Sequence, residues 1–147
     1  MTQLRFDATA AAKNKAKFAS KFEKIALTTV EILIRKKMYP FVPRILFDCL
    51  ERYIKVFLVG AGSKISDNHI ANINKFKERF IDKEHSVNVL CASFPTELYE
   101  RYGYLLYAED DHFTEIDEVE CRDQIKRTKT VLSYLKEALK IRNVHVK

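Results

Sequence analysis

Apolar residues recur at three- and four-residue spacing over long stretches of the chain, and this periodicity predicts five helices. A first helix is expected from about Ala8 to Met38, with Phe18, Phe22, Ile25, Ala26, Thr29 and Leu33 on its inward face. Lys13, Lys17, Lys21 and Lys24 form a second stripe beside that face. In MYPFVPR, Pro40 and Pro43 each disfavour helix in the residue before them, so the first helix should end there. A second helix follows from about Pro43 to Val59. Leu46, Cys49, Leu50, Tyr53, Ile54 and Phe57 face the core, with Asp48, Glu51, Arg52 and Lys55 opposite. Gly60 and Gly62 stop it, since glycine readily takes the left-handed conformation of a helix end.

A third helix opens in SDNHIANINKFKERF, capped by Ser66, Asp67 or Asn68 and burying Ile70, Ile73, Phe76 and Phe80. The pattern loosens over 82–92. SFPTELYERYGYLLY then gives a fourth helix, capped near Thr96, with Leu98, Tyr102 and Leu105 inward. After an acidic turn a fifth runs from about Asp117 to Ile141, its face marked by Cys121, Ile125, Leu132, Leu135 and Leu139. The fold class expected is all-α, an up-and-down bundle of four to five helices forming one domain over 1–147.

Composition supports that reading. Only 3 Gly and 3 Pro occur in 147 residues, too few turn formers for an all-β fold. With 47% apolar and 31% charged residues, a buried core is expected rather than general disorder. No stretch has the length and apolarity of a membrane span. The alanine run near the N-terminus lacks the compact apolar segment of a secretory signal, so a cytoplasmic location is expected. Cys49, Cys91 and Cys121 are odd in number and far apart, which suggests neither a disulfide framework nor a zinc cluster.

The net charge of +6 is unevenly spread. Residues 1–60 carry 12 Lys and Arg against 5 Asp and Glu, whereas 109–123 carry 8 acids and one Arg. An anionic partner or complementary pairing between chains would each account for this. For the lysine stripe of the first helix, a solvated face is the simpler account and a phosphate-tracking surface the alternative.

Chemical motifs are sparse. GAGSK lacks the spacing and the Lys-Ser/Thr ending of a phosphate-binding loop. The four histidines, His69, His85, His112 and His145, never pair at metal-ligand spacing, so neither metal nor cofactor is expected.

One ordered set of features resembles the HEPN domain family of small helical bundles, over roughly Phe22 to Leu139. It comprises the long first helix, the aromatic turn KKMYPFVPR, RILFDCLERYIKVFLVGAG, SKISDNH with His69 opening the third helix, and INKFKERF. LYERYGYLLYAEDD and the last helix complete it. The resemblance implies a dimeric bundle associated with nucleotides or RNA. Some relatives are metal-independent ribonucleases of toxin–antitoxin and defence systems, and others are inactive partners of nucleotidyltransferases. Active members use an arginine, four to six intervening residues and a histidine. The histidine moves a proton while the arginine steadies phosphate charge.

Here Arg101 matches the family arginine, but no histidine follows at that spacing. His112 follows with ten residues between it and Arg101, about 16 Å along a continuous helix at 1.5 Å per residue. Arg79 and His85 meet the spacing at the wrong place in the family pattern. The catalytic candidates are therefore Arg79, His85, Arg101 and His112. The ligand-binding candidates are Arg101, Tyr104, Tyr107 and His69, with His69 expected to bond backbone at its helix start. Asp110 and Asp111 read as a charged interhelical turn. The function expected is a nucleotide- or RNA-binding accessory module, a homodimer partnered by a nucleotidyltransferase or an antitoxin protein, without the standard ribonuclease centre. The alternatives are a metal-independent endoribonuclease and a protein-interaction scaffold.

Overall fold

The structure, a computed structural model, describes residues 6–81, 87–107 and 115–146. Five α-helices account for its regular structure: α1 (Ala10–Arg35), α2 (Val42–Gly60), α3 (His69–Phe80), α4 (Leu90–Tyr107) and α5 (Glu118–Ile141). A single 3-10 turn, Tyr39–Phe41, joins α1 to α2, and Ile81 and Val87 form an isolated bridge. The all-helical class expected from periodicity is what is observed. Among the described residues no helix is long and apolar enough to cross a membrane.

Local chemistry sets the ends. Thr9, Asn68 and Asp117 cap α1, α3 and α5, their side chains accepting from Ala12 N, Ala71 N and Glu120 N. Three helices stop in the same way, with a left-handed residue just past the end: Lys37 (φ 59°), Gly62 (φ 72°) and Asn143 (φ 66°). The amide of the next residue then reaches back five positions, from Met38 to Leu33 O, Ser63 to Leu58 O and Val144 to Leu139 O. Gly60 has a different use. A Cβ there would overlap the Phe6 ring, which packs between Phe57 and Phe80.

Two expectations need correction. In α1 the buried residues are Ala12, Ala16, Ala19, Ala26, Val30 and Ile34, whereas Phe18 and Ile25 are 66% and 63% exposed. The helix is turned so that its alanines, with Val30 and Ile34, face inward while Phe18 and Ile25 face outward. Small side chains let two helix axes approach closely, and that contact wins over burial of the larger side chains. In α4 the helix begins at Leu90 rather than near Thr96. Pro95 lies inside it, and Thr96 Oγ1 donates to Ala92 O within the helix instead of capping it.

Helix α2 is the hub. It packs against α1, α3, α4 and α5, and its six expected core residues are all buried. Phe57, Phe76 and Phe80 meet in tilted and edge-on pairs 5.1–5.7 Å apart, each worth about 0.5–1.5 kcal/mol beyond the area buried. All three cysteines are buried free thiols.

Candidate anion-binding site

The polar face expected of α2 is only partly polar in its surroundings. Glu51, expected there with Asp48, Arg52 and Lys55, is buried, with 3% of the residue exposed. The reason is α3, whose first residue, His69, lies over it. His69 Nδ1 is 2.6 Å from Glu51 Oε2, so the ring bonds a carboxylate rather than backbone. A carboxylate can only accept, which places the ring proton on Nδ1 and leaves Nε2 its lone pair in the neutral imidazole. Lys55 Nζ sits 3.4 Å from the other Glu51 oxygen.

Arg44, in the first turn of α2, brings its Nη2 to 3.5 Å from His69 Nε2. Its Nε pairs with Asp48 at 3.0 Å. Burial pushes the Asp48 carboxyl above the usual carboxylate range, against the pull of the Arg44 guanidinium. The guanidinium carbon lies 5.4 Å from the Tyr102 ring centre and 5.9 Å from that of Phe47. The His69 ring is edge-on to Phe47 at 5.6 Å and tilted against Tyr99 at 5.6 Å. Arg44, Phe47, Asp48 and Glu51 thus follow one face of α2 at helical spacing, while Tyr99 and Tyr102 present a matching face of α4.

The arrangement holds a cation at the surface on a buried anion. Arg44 and His69 keep 33% and 29% of their side chains exposed, against 5% for Glu51. Asp48 and His69 engage two of the five guanidinium N–H groups, and among the described residues no other acceptor takes the rest. An incoming phosphate oxygen would meet a fixed guanidinium beside an imidazole nitrogen that can take or carry a proton.

The other nominated residues go elsewhere. Arg101 follows α4 round to the α5 side, where Nε and Nη2 donate to the two Glu120 oxygens at 2.9 and 3.0 Å. Hydrogen bonding to Glu120 pushes the Arg101 guanidinium further above its ordinary range. Tyr104 lies under Arg101, 5.5 Å from its guanidinium carbon, with its hydroxyl 3.5 Å from Glu115. Arg79 is exposed in the last turn of α3, with Nη1 3.5 Å from Ala61 O. His85, His112, Asp110, Asp111 and the side chain of Tyr107 lie outside the described residues. Of the sequence candidates among the described residues, only His69 belongs to the cluster at Arg44. Arg44 and Glu51 were not nominated, because helical periodicity alone assigns both to solvent.

Among the described residues no group of three or more His, Cys, Asp and Glu side chains is placed to hold a metal ion. No family model, no curated protein and no solved structure matches this chain.

Proposed function

We propose that this chain is a HEPN-like nucleotide- or RNA-binding module, acting as the accessory member of a prokaryotic toxin–antitoxin, defence or nucleotidyltransferase-associated system. On this reading it is a cytoplasmic homodimer whose partner is an antitoxin or a nucleotidyltransferase. The family likeness rests on the ordered sequence features and on the agreement of a five-helix bundle with them. The binding role rests on one observation: the half-exposed Arg44 guanidinium, held between Asp48, His69 and two aromatic rings, with open N–H donors. A phosphate takes those donors, and Tyr102 is near enough for a base to stack beside it. Arg101 has the weaker claim, because Glu120 occupies its fork.

One observation favours a second reading, a metal-independent endoribonuclease. His69 has its Nδ1 fixed by Glu51 and its Nε2 next to Arg44, as a proton carrier beside a phosphate would require. The test is RNA binding and cleavage by the purified protein, with chelator present, across a salt series. Binding that weakens with salt and drops about tenfold or more in Arg44→Ala, without cleavage, is the expected result. Cleavage abolished by His69→Ala would replace it with the second reading. Absence of binding, or binding indifferent to Arg44, would overturn the proposal.

A further inference from the structure

We infer that the outer face of α1 is a docking seam for an acidic amphipathic helix of a partner protein. Turning the alanines of α1 inward leaves Phe18, Ile25 and Ile32 outward, 66%, 63% and 38% exposed. They stand seven residues apart, which keeps them in one line about 21 Å long at 1.5 Å per residue. A seven-residue repeat of apolar side chains is what a second helix needs to pack alongside by supercoiling. The half-buried Phe22 and Thr29 fill the positions between them.

The charge around the seam selects the partner. Lys17, Lys21 and Lys24 flank it on one side, all exposed, and Lys13 extends that row. Among the described residues none of these four is within ion-pair distance of a carboxylate. On the other side, toward α2, Phe18 walls a cavity of about 340 Å³ that is also bordered by Lys15, Arg52 and Lys55. The Arg52 guanidinium carbon lies 4.1 Å from the Phe22 ring centre. An apolar line with a lysine row on one side, and Lys15 and Arg52 beside its Phe18 end on the other, matches a helix with leucine-like residues on its seam and glutamates on its shoulders.

Three other occupants fit less well. A second copy of the chain would set lysine row against lysine row. An RNA backbone would have three large apolar side chains along the middle of its track, where cations belong. A lipid surface would be met by a helix whose opposite face is already committed to the bundle, leaving only a narrow apolar strip to insert. The seam is separate from the Arg44 site and stands whether or not that site binds phosphate.

The experiment titrates the full chain with a designed peptide about 21 residues long, with Leu at the seam positions and Glu at the flanking positions. A second peptide carries Gln in place of each Glu. Saturable binding is expected, about tenfold or more weaker for the Gln peptide and for Ile25→Ser. Phe18 and Ile25 are exposed, so both Ile25→Ser and Phe18→Ser should keep the wild-type circular dichroism and melting curve. Absence of binding by the Glu peptide would overturn the inference, as would equal binding of both peptides. Three further results would overturn it in favour of another occupant. They are a concentration-dependent dimer lost in Ile25→Ser, phosphatidylglycerol vesicle binding lost in Ile25→Ser without peptide binding, and RNA binding lost on replacing Lys17, Lys21 and Lys24 but kept in Ile25→Ser.

Discussion

Glu51→Gln tests whether the buried carboxylate organises the Arg44 site. The substitution keeps the shape of the side chain and an oxygen for His69 Nδ1–H, but removes the charge. A hydrogen bond to a charged group contributes about 1.5–3 kcal/mol and a neutral one about 0.5–1.5, so the 2.6 Å contact should lose about 1–1.5 kcal/mol. Lys55 keeps about a quarter of its side chain in water at 3.4 Å, so its share is at most about 0.5 kcal/mol. A neutral amide is less costly to bury than a carboxylate, and this offsets part of the loss. The expected net destabilisation is about 1 kcal/mol, or a fall in melting temperature of about 2–4 °C for a domain of this size. Urea unfolding at neutral pH measures it. Nitrogen-15 spectra of the imidazole ring provide a second readout, with wild type carrying its proton on Nδ1 and Glu51→Leu, which has no acceptor, losing that tautomer. A Glu51→Gln protein as stable as wild type, together with a wild-type ring protonated on Nε2, would refute the reasoning.

Burial pushes each of the three thiols up to about 12 from its ordinary value of 9.0, so native protein should resist iodoacetamide at pH 8 while denatured protein is alkylated at all three sites. Because the folded value is the higher one, their stabilising effect is complete below pH 9 and is lost as pH rises toward 12. Between pH 9 and 10 each thiol should remove about 1 kcal/mol, seen as a falling urea midpoint. Replacing Ala16, which is 3% exposed at the α1–α2 contact, by Leu should cost about 1–3 kcal/mol in the same assay. Tyr53→Phe removes a hydroxyl that donates to Glu23 at 2.6 Å, but Lys136 still holds that carboxylate at 2.8 Å. Its loss should be near 1 kcal/mol, and a much larger value would mean the hydroxyl organises the whole group.

The helix inventory was legible because periodicity reports one buried face per helix, and α3 and α5 obey that rule, while α2 buries its expected face and more besides. It misled for α1, where two apolar faces compete: one of alanines and short aliphatics, one of Phe and Ile. Hydrophobicity favours the second, whereas close approach to α2 favours the first, and single-helix periodicity carries no term for the neighbour. The same blindness hid the site. Glu51 sits where a polar residue normally faces water, and nothing local to α2 says that His69, eighteen residues on, will cover it. His69 could be nominated from its place at the start of α3, but its partner could not. Arg101 stands out in the sequence beside tyrosines and acids, and its fork is closed by Glu120, nineteen residues away.

Because α2 touches every other helix and carries both Arg44 and Glu51, the site has no existence apart from the whole bundle. A form in which α3 peels away loses His69, one in which α4 peels away loses Tyr102, and one in which α2 loosens has no core. Binding competence is therefore lost with whichever of these helices leaves first, at or before global unfolding. A ligand at Arg44 should slow exchange through every such opening, across α2, α3 and α4, rather than at its own contacts alone.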